Sequence, residues 1–341
     1  MRLLVFTNDY DQSGDLLGFL PGRVNALAGS VDGVHILSQH VGTFTRHPRV
    51  SVHEISKRKH PSRITRALLV IRKAWILRAH YDVVMVTMAP SWAVIFGLLT
   101  RLLGKRCVLW YAVWRGGFRL RLATLVCHRV LTSVPEAFPF RSNKVVAVGQ
   151  GIDTVAFAPD STPRVEKRIL FLGRISRVKR LHELLNTLSS MKLEWTLDIA
   201  GAPMNGDDER YVEELKGLVG ERAISDRVRW LGRIPHSDVP RLYQTADVFV
   251  SLTPAGSFDK TALEAMASGV IVLSSNPALL VFLSEEDRSL CDVRGGVSAG
   301  LRRIGSLTAE ERNGLRQRLR EVVVGHHSLE QWVQKTVQAL A

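Results

Sequence analysis

The sequence has few cysteines and no apolar run long enough to span a membrane. Its three cysteines, Cys107, Cys127 and Cys291, lie far apart and leave an odd number, which disfavours a disulfide framework and indicates buried thiols in a reducing compartment. The longest apolar run, from Ala89 to Leu99, is shorter than the roughly 20 residues that a spanning helix needs. The opening "MRLLVFTNDY" turns polar after one short strand, so we expect no secretory signal and a cytoplasmic location.

Acidic residues are scarce in the first half of the chain. Residues 1–160 contain 21 Lys/Arg and 9 Asp/Glu, whereas residues 161–341 contain 25 and 23, so most of the net charge of +14 belongs to the first half. Such a one-sided charge indicates an anionic partner. A membrane surface or a phosphorylated lipid fits better than nucleic acid, because no recognition motif or aromatic stacking platform accompanies the cations.

What the sequence does have is an alternation of short apolar runs with helical patterns. "RLLVF", "GVHILS", "DVVMVT" and "CVLWYAV" alternate with segments of ten to fifteen residues, which is typical of a parallel sheet with crossover helices. The pattern breaks at "GIDTVAFAPDSTPRVEKR" and restarts with "ILFLGRI". We therefore predict an α/β protein of two Rossmann-like, doubly wound domains, residues 1–160 with a closing helix over 328–341 and residues 161–327, facing across a cleft that holds the ligand.

A basic segment in the first domain, "KRKHPSRITRALLVIRKAWILRAH" from residues 57 to 80, interleaves cations with large apolar residues. A helix of this type can lie on an anionic membrane. It could equally be a crossover helix of the sheet with a basic exposed edge.

A candidate anion site follows the first strand of the second domain. In "ILFLGRISRVKRLHELL", Gly173 allows a sharp turn and the cations Arg174 and Lys179 flank the next helix start. Free N–H groups of a helix start and two cations suit a diphosphate. A loop whose basic residues are merely solvated is the alternative for this stretch.

Two further loops offer ligand contacts. In "GSFDKTALEAMASG", the N–H groups of Phe258, Asp259 and Lys260 stand at a helix start, and Glu264 could accept hydrogen bonds from the two hydroxyls of a ribose. A local Arg or Lys could pair with Glu264 instead. In the loop from Gly232 to Pro235, main-chain groups could face a planar base, although Pro235 and Ser237 could simply mark the start of the next helix.

These motifs, taken together, resemble the donor domain of the retaining glycosyltransferases of family 4 (glycosyl transferases group 1), the large family that includes sucrose synthase and bacterial mannosyltransferases. The similarity covers most of residues 168–276, and "LLGFLPGRVNALA" and "GQGIDTVAFAP" extend it weakly into the first half. It implies the two-domain GT-B fold, with a donor-binding domain over 161–327 and an acceptor-binding first domain. It also implies a hexosyltransferase activity from a nucleotide-diphosphate sugar to a glycan or lipid-linked acceptor, as in cell-surface polysaccharide synthesis at the inner face of the membrane.

The resemblance assigns roles to individual residues. Arg174 and Lys179 would stabilise the departing diphosphate, Ile234 would contact the base and Glu264 the ribose. The remaining donor-binding positions implied are Gly18, Gly173, Ser257, Phe258, Asp259 and Lys260. The diphosphate itself would accept the proton of the acceptor hydroxyl, so that no metal or other cofactor is required. The eleven scattered histidines form no metal-ligand pattern.

The sequence also departs from the family pattern. Gly256 stands where relatives have the first glutamate of a pair, Val113 lies near a family histidine, and Arg180 replaces a glycine. These departures leave two alternatives open, a catalytically silent nucleotide-sugar-binding partner subunit and a related sugar-nucleotide epimerase.

Overall fold

The computed structural model describes residues 1–14, 17–56, 59, 62–191, 195–254 and 258–341. The chain folds into two compact units, Met1–Gly151 with Leu329–Ala341, and Ile152–Ser328. The predicted boundary near residue 160 therefore lies slightly later in the chain than the observed division. The C-terminal segment Leu329–Ala341 belongs to the first unit.

The first unit contains a seven-stranded parallel sheet in the order β3-β2-β1-β4-β5-β6-β7. The strands are β1 Arg2–Thr7, β2 Gly33–Ser38, β3 Val50–Glu54, β4 Val83–Thr87, β5 Arg106–Trp110, β6 Arg129–Thr132 and β7 Val145–Ala147. The central strands are buried on both faces, which is why they read as continuous apolar runs. The edge strand β3 is only partly buried. It was not predicted, because polar residues alternate with apolar ones in its sequence "VSVHE".

Helices cover both faces of this sheet. They are α1 Leu20–Gly29, α2 Arg63–Ile76, α3 Pro90–Leu102, α4 Phe118–Val126 and the closing helix α13 Leu329–Leu340. The inner residues of α2, α3 and α4 share one hydrophobic core with the sheet. Those of α1 and α13 share a second core. The basic segment at 57–80 thus contains a crossover helix, α2, which begins after Ser62, whose side chain accepts a hydrogen bond from the Thr65 N–H.

The second unit contains a five-stranded parallel sheet in the order β10-β9-β8-β11-β12. Its strands are β8 Arg168–Leu172, β9 Thr196–Ala200, β10 Val228–Gly232, β11 Val248–Ser251 and β12 Ile271–Ser274. Its helices are α5 Leu181–Ser190, α6 Gly206–Glu221, α7 Val239–Thr245, α8 Lys260–Ala267, α9 Pro277–Leu280, α10 Glu285–Cys291, α11 Val297–Ser306 and α12 Ala309–His327. The predicted α/β class with two doubly wound sheets is confirmed.

Within the described ranges, no helix combines the length and the apolar composition needed to cross a membrane.

Candidate active site

The second sheet has its topological switch point between β8 and β11. These two strands are hydrogen-bonded neighbours, and the chain continues from β8 toward β9 and β10 on one side and from β11 toward β12 on the other. In open parallel sheets, ligands bind in the crevice outside the carboxyl ends of the strands at such a point. The loops after β8 and β11 are the two loops that carry most of the predicted site residues.

The residues that follow β8 and β9 are glycines and present only their backbone at this point of the sheet. Gly173 follows β8 with φ +143°, and its N–H donates to the Ala200 carbonyl at 3.0 Å. Gly201 follows β9 with φ +141°, and a Cβ there would lie 1.9 Å from the Gly173 carbonyl oxygen. Both positions need glycine because of their backbone conformation, and Gly201 also because of this close approach. Gly173 was predicted from the sequence as a site residue, whereas Gly201 was not. The available indication for Gly201 was its position as a glycine at the end of a strand.

Lys179 bridges the loops after β8 and β11. It ends a single turn of 3₁₀ helix, Arg177–Lys179, and its Nζ lies 3.1 Å from Asp259 Oδ2 and 3.0 Å from Thr253 Oγ1. Its side chain keeps 22% exposure, so the ammonium is held in place and still reachable. The next residue, Arg180, adopts a left-handed conformation with φ +54°, which glycine would adopt more readily.

Asp259 is the acidic partner that holds Lys179. Its carboxylate is buried and accepts hydrogen bonds from Ser251 Oγ at 2.6 Å, Thr253 Oγ1 at 2.8 Å and Thr261 Oγ1 at 2.7 Å. Burial alone would raise the pKa of Asp259, but the Lys179 ammonium and the three hydroxyls outweigh it and hold the pKa well below its ordinary value. From the sequence, Asp259 was predicted to contact the ligand through its backbone N–H at the start of α8. The structure adds a side-chain role that was missed.

Glu264 lies one turn into α8 and is buried. The Lys260 ammonium contacts its Oε1, and His236 Nε2 lies 3.9 Å from the same oxygen. The pairing with a local lysine, one of the two alternatives from the sequence, is therefore the one present. Burial and the nearby Lys260 lower the pKa of His236, against the opposing effect of Glu264. His236 was not among the predicted site residues.

Phe258 contributes its side chain to packing rather than to the crevice. The ring is buried and lies 6.0 Å from the Phe282 ring and 4.9 Å from the His327 ring, measured between centroids. This aromatic cluster anchors the segment that leads into α8, and only the backbone of Phe258 is left for the predicted ligand contact. The predicted contact at Ser257 and the departure at Gly256 lie outside the described residues.

Arg174 is half exposed and turns toward α6. Its Nε lies 3.6 Å from Oδ2 of Asp208, a buried residue in the first turn of that helix. An anion in the crevice would use the remaining donors of Arg174 or compete with Asp208 for it. Arg177 pairs with Glu214 on the surface.

The loop after β10 holds the predicted base contact. Ile234 is partly buried, and the turn before it is made by Gly232, which has φ +66° and whose carbonyl accepts from the Gly201 N–H at 2.7 Å. The N-cap residue of helix α7 is Asp238 rather than Ser237, and the Ser237 hydroxyl donates to the Asp238 carboxylate at 3.0 Å.

Two predicted positions lie in the first unit. Gly18 stands between β1 and α1, where a Cβ would approach the Gly14 carbonyl oxygen to 2.5 Å and that of Gln12 to 2.9 Å. Its need for glycine therefore has a local cause within this loop. Val113 is partly buried shortly after β5.

For the residues that the structure describes, no group of three or more His, Cys, Asp or Glu side chains is placed to hold a metal ion.

The sequence of the second unit matches a known family. Residues 157–291 fit the profile described as Glycosyl transferases group 1. This segment is a group 1 glycosyltransferase domain. Among curated relatives, spore coat protein SA of Bacillus subtilis is 30% identical over 166 residues, which is 42% of this chain and 43% of that protein. The lipopolysaccharide core biosynthesis mannosyltransferase LpsB of Rhizobium meliloti is 29% identical over 139 residues, or 37% of this chain and 39% of that protein.

Solved structures show a likeness in fold over the whole chain. HepE of Anabaena, solved in complex with UDP, aligns with a TM-score of 0.77 and 15% identity over 100% of this chain and 99% of that one. At this identity the likeness shows the fold, and the fold is GT-B. The two curated matches each span less than half of this chain and less than half the length of the relative.

Proposed function

We propose that this protein is a retaining glycosyltransferase that moves a sugar from a nucleotide-diphosphate sugar to a glycan or lipid-linked acceptor. The observation that carries the proposal is the position of Lys179, a partly exposed cation held at the switch point of a group 1 domain. The UDP in the HepE complex supports a nucleotide-sugar donor. The name of LpsB supports a role in cell-surface glycan synthesis. We place the reaction in the cytoplasm, at the inner face of the membrane.

The proposed chemistry follows from a cation that meets the leaving group. A diphosphate in the crevice would bond the Lys179 ammonium and the free donors of Arg174. As the bond between the anomeric carbon and the phosphate oxygen breaks, the electron pair moves to the diphosphate, and both cations stabilise the charge that develops. The acceptor oxygen bonds the anomeric carbon from the same face, and its proton passes to a phosphate oxygen. Positioning and electrostatics supply the rate enhancement in this scheme.

The nucleoside would lie along the loops after β10 and β11. Lys260 and His236 both approach Oε1 of Glu264. A ribose hydroxyl could then donate to the other carboxylate oxygen without breaking the lysine pair. Ile234, in the loop after β10, would contact the base through its main chain. The N–H groups of Asp259 and Lys260 at the start of α8 would face the phosphate or the transferred sugar.

A ligand screen tests the donor proposal. Thermal unfolding is measured with UDP, GDP, ADP, their sugars and inorganic pyrophosphate, since a ligand at a hundred times its dissociation constant stabilises by about 2.7 kcal/mol. We expect one nucleotide class to exceed pyrophosphate, and Glu264→Gln to remove that excess. Glu213→Gln, at an exposed position on α6, is the matched control. Equal stabilisation by pyrophosphate and by every nucleotide would contradict the ribose role.

A transfer assay then separates an enzyme from a binding subunit. Because Gly256 and Val113 depart from the family pattern, a silent nucleotide-sugar-binding subunit is the second candidate. Turnover of the stabilising nucleotide sugar, either hydrolysis or transfer to a membrane extract, supports the enzyme. We propose that this turnover needs no metal, so that excess EDTA leaves the rate unchanged. Tight binding of the nucleotide sugar with no turnover would favour the binding subunit.

A further inference from the structure

One stretch of the chain contains its whole net charge. Residues 55–135 include fifteen Lys/Arg and a single acid, Asp82, so their net charge of +14 equals that of the full chain. That acid is itself bonded to a residue outside the stretch, since Arg2 Nη2 lies 2.9 Å from Asp82 Oδ1. The sequence of this stretch therefore supplies almost no acid of its own, and the stretch contains the three helices α2, α3 and α4.

The same three helices expose large apolar side chains. Helix α2 presents Ile64 and Leu68, which are 75% and 63% exposed, and helix α3 presents Leu98 and Leu102, at 52% and 84%. Helix α4 presents Phe118 and Leu125, at 78% and 66%. We call these six side chains the outer helix face. The opposite sides of the three helices are occupied by their common core with the sheet, so the exposed side chains are surplus to the packing of the unit.

On each helix the apolar side chains recur at helical spacing with arginines near them. Leu98, Arg101 and Leu102 follow the i, i+3, i+4 pattern on α3, and Phe118, Arg121 and Leu125 follow i, i+3, i+7 on α4. The Arg101 guanidinium donates to the Leu125 carbonyl at 3.2 Å, which joins the two helices into one surface. On α2, Trp75 is half exposed, with Arg78 5.0 Å from its ring.

The positive charge and the exposed apolar side chains of the outer helix face together favour one class of partner. A nucleic acid would neutralise the cations but would gain little from leucine and phenylalanine side chains pointing into solvent. A second copy of this chain would bring the same excess of positive charge to the contact. An anionic bilayer provides both phosphates for the arginines and an apolar interior for the side chains, and tryptophan is favoured at its interface.

We infer that the outer helix face of α2, α3 and α4 docks this protein onto a bilayer containing anionic phospholipid. The three helices lie together on the surface, with leucine and phenylalanine side chains inserted between headgroups and arginines bonded to lipid phosphates. The docking face is thus wider than the basic segment at 57–80, and it belongs to the first unit alone. It does not depend on the proposed transfer reaction.

Vesicle flotation of the full-length protein tests the inference. The probes are vesicles of mixed phosphatidylglycerol and phosphatidylcholine, with pure phosphatidylcholine vesicles for comparison. We expect the wild type to float with the anionic vesicles, and the bound fraction to fall as salt rises. Leu102→Glu with Phe118→Glu should weaken this binding by roughly tenfold or more. Both side chains are largely exposed, so thermal unfolding should stay unchanged.

Matched variants keep the test specific. Val155→Glu with Val281→Glu places the same charges at exposed apolar positions of the second unit and should bind vesicles like the wild type. Arg63→Gln with Arg119→Gln, at exposed cations of α2 and α4, should reduce the salt-sensitive part of the binding. Lys179→Ala should float like the wild type, so that loss of transfer and loss of docking are separable.

Several results would overturn the inference. One is a wild type that stays unbound at low salt, and another is a Leu102→Glu, Phe118→Glu variant that floats unchanged. A third is duplex DNA binding the wild type and that variant equally, with no vesicle binding by either. A fourth is a wild-type dimer in solution that the same two substitutions dissociate, again without vesicle binding, since the face would then be an interface between copies.

Discussion

The two units share an architecture and differ in what their charged side chains contact. Both are doubly wound parallel sheets covered by helices. In the second unit, cations turn inward to buried acids: Arg316 lies 2.7 Å from Asp247, and Arg229 lies 2.6 Å from Asp198. In the first unit, the stretch 55–135 contains fifteen Lys/Arg residues and one acidic residue. The second unit therefore pairs positive charge with its own acids, whereas the stretch 55–135 of the first unit contains almost no acid in its own sequence.

Exposed apolar residues show the same contrast. Those of α2, α3 and α4 are Ile, Leu, Trp and Phe, whereas the large ones exposed in the described part of the second unit are Val155, Val165, Val178, Val281, Val324 and Met204. Single exposed valines are ordinary on a protein surface, but a set of larger side chains on adjacent helices is not. This contrast supports the docking inferred for the first unit and the donor site proposed in the second.

The largest expected effect concerns the cation of the second unit. Lys179→Ala removes the ammonium that would stabilise the leaving group, and we expect turnover to fall by about 10²- to 10³-fold. Lys216→Ala, at an exposed lysine on α6, is the matched control and should leave turnover unchanged. Steady-state kinetics with the donor identified by the ligand screen provide the measurement. Equal rates for the two variants would remove Lys179 from the mechanism.

A smaller effect concerns the acid that holds this cation. Asp259→Asn leaves Lys179 without its ionised partner in a largely buried position, and we expect a loss of about 2 kcal/mol in unfolding free energy. Hydrogen exchange measured by mass spectrometry should place this loss in peptides of the second unit only. Asp207→Asn changes a side chain that is 85% exposed and should have almost no effect. Unchanged protection in Asp259→Asn would show that the pair contributes little to stability.

The smallest expected effect is the loss of unfolding free energy in each unit as pH falls. Burial, together with Lys73 and His35, lowers the pKa of His53 to about 4, below the roughly 6.5 of an unfolded histidine. The unfolded chain then binds protons first, so the first unit loses stability as pH falls from about 6.5 to about 4. In the second unit, Asp259 has a depressed pKa, so its own contribution is lost only as pH falls below roughly 4. The lowered pKa of His236 adds a loss to the second unit that begins as pH falls below about 6.5.

Hydrogen exchange at several pH values, corrected for its intrinsic rate, measures these losses. His53 is partly solvated, so we expect a loss of about 1 kcal/mol in the first unit after screening. Besides Lys73 and His35, the groups around this histidine include Glu54 and Arg72, which line the same cavity between β3 and α2. His53→Gln should flatten the loss between pH 6.5 and 4. An unchanged loss in His53→Gln would remove this histidine from the acid response of the first unit.

Much of the fold was predictable because buried parallel strands leave a simple trace in the sequence. Strands such as "VVMVT" are apolar throughout, and their alternation with helices indicated two doubly wound sheets. The edge strand β3 was not predicted, because two of its five side chains are exposed and the other three are only partly buried. The division between units was placed too late because a proline-rich loop shows where a linker lies but not which unit packs against it.

The site was predictable one loop at a time. Lys179 and Glu264 stand in motifs that can be read within a few residues, and the structure places both beside the start of α8. The pair between Lys179 and Asp259 joins positions 80 residues apart in sequence, and it exists because β8 and β11 are neighbours in the sheet. Gly201 was missed for the same reason, since its requirement comes from the Gly173 carbonyl of the adjacent loop. Sequence spacing does not contain such contacts between strands.

The bonds from Lys179 to Asp259 and Thr253 have a consequence for binding thermodynamics. A free lysine side chain has about 2 kcal/mol of rotamer entropy, and most of it is lost when the chain is ordered. Here that loss occurs during folding, because 3.1 Å and 3.0 Å contacts already fix the ammonium. An anion that enters the crevice therefore meets a rigid cation and need not order a flexible one. Calorimetry should then show a small conformational entropy term for this contact, and Asp259→Asn should enlarge it.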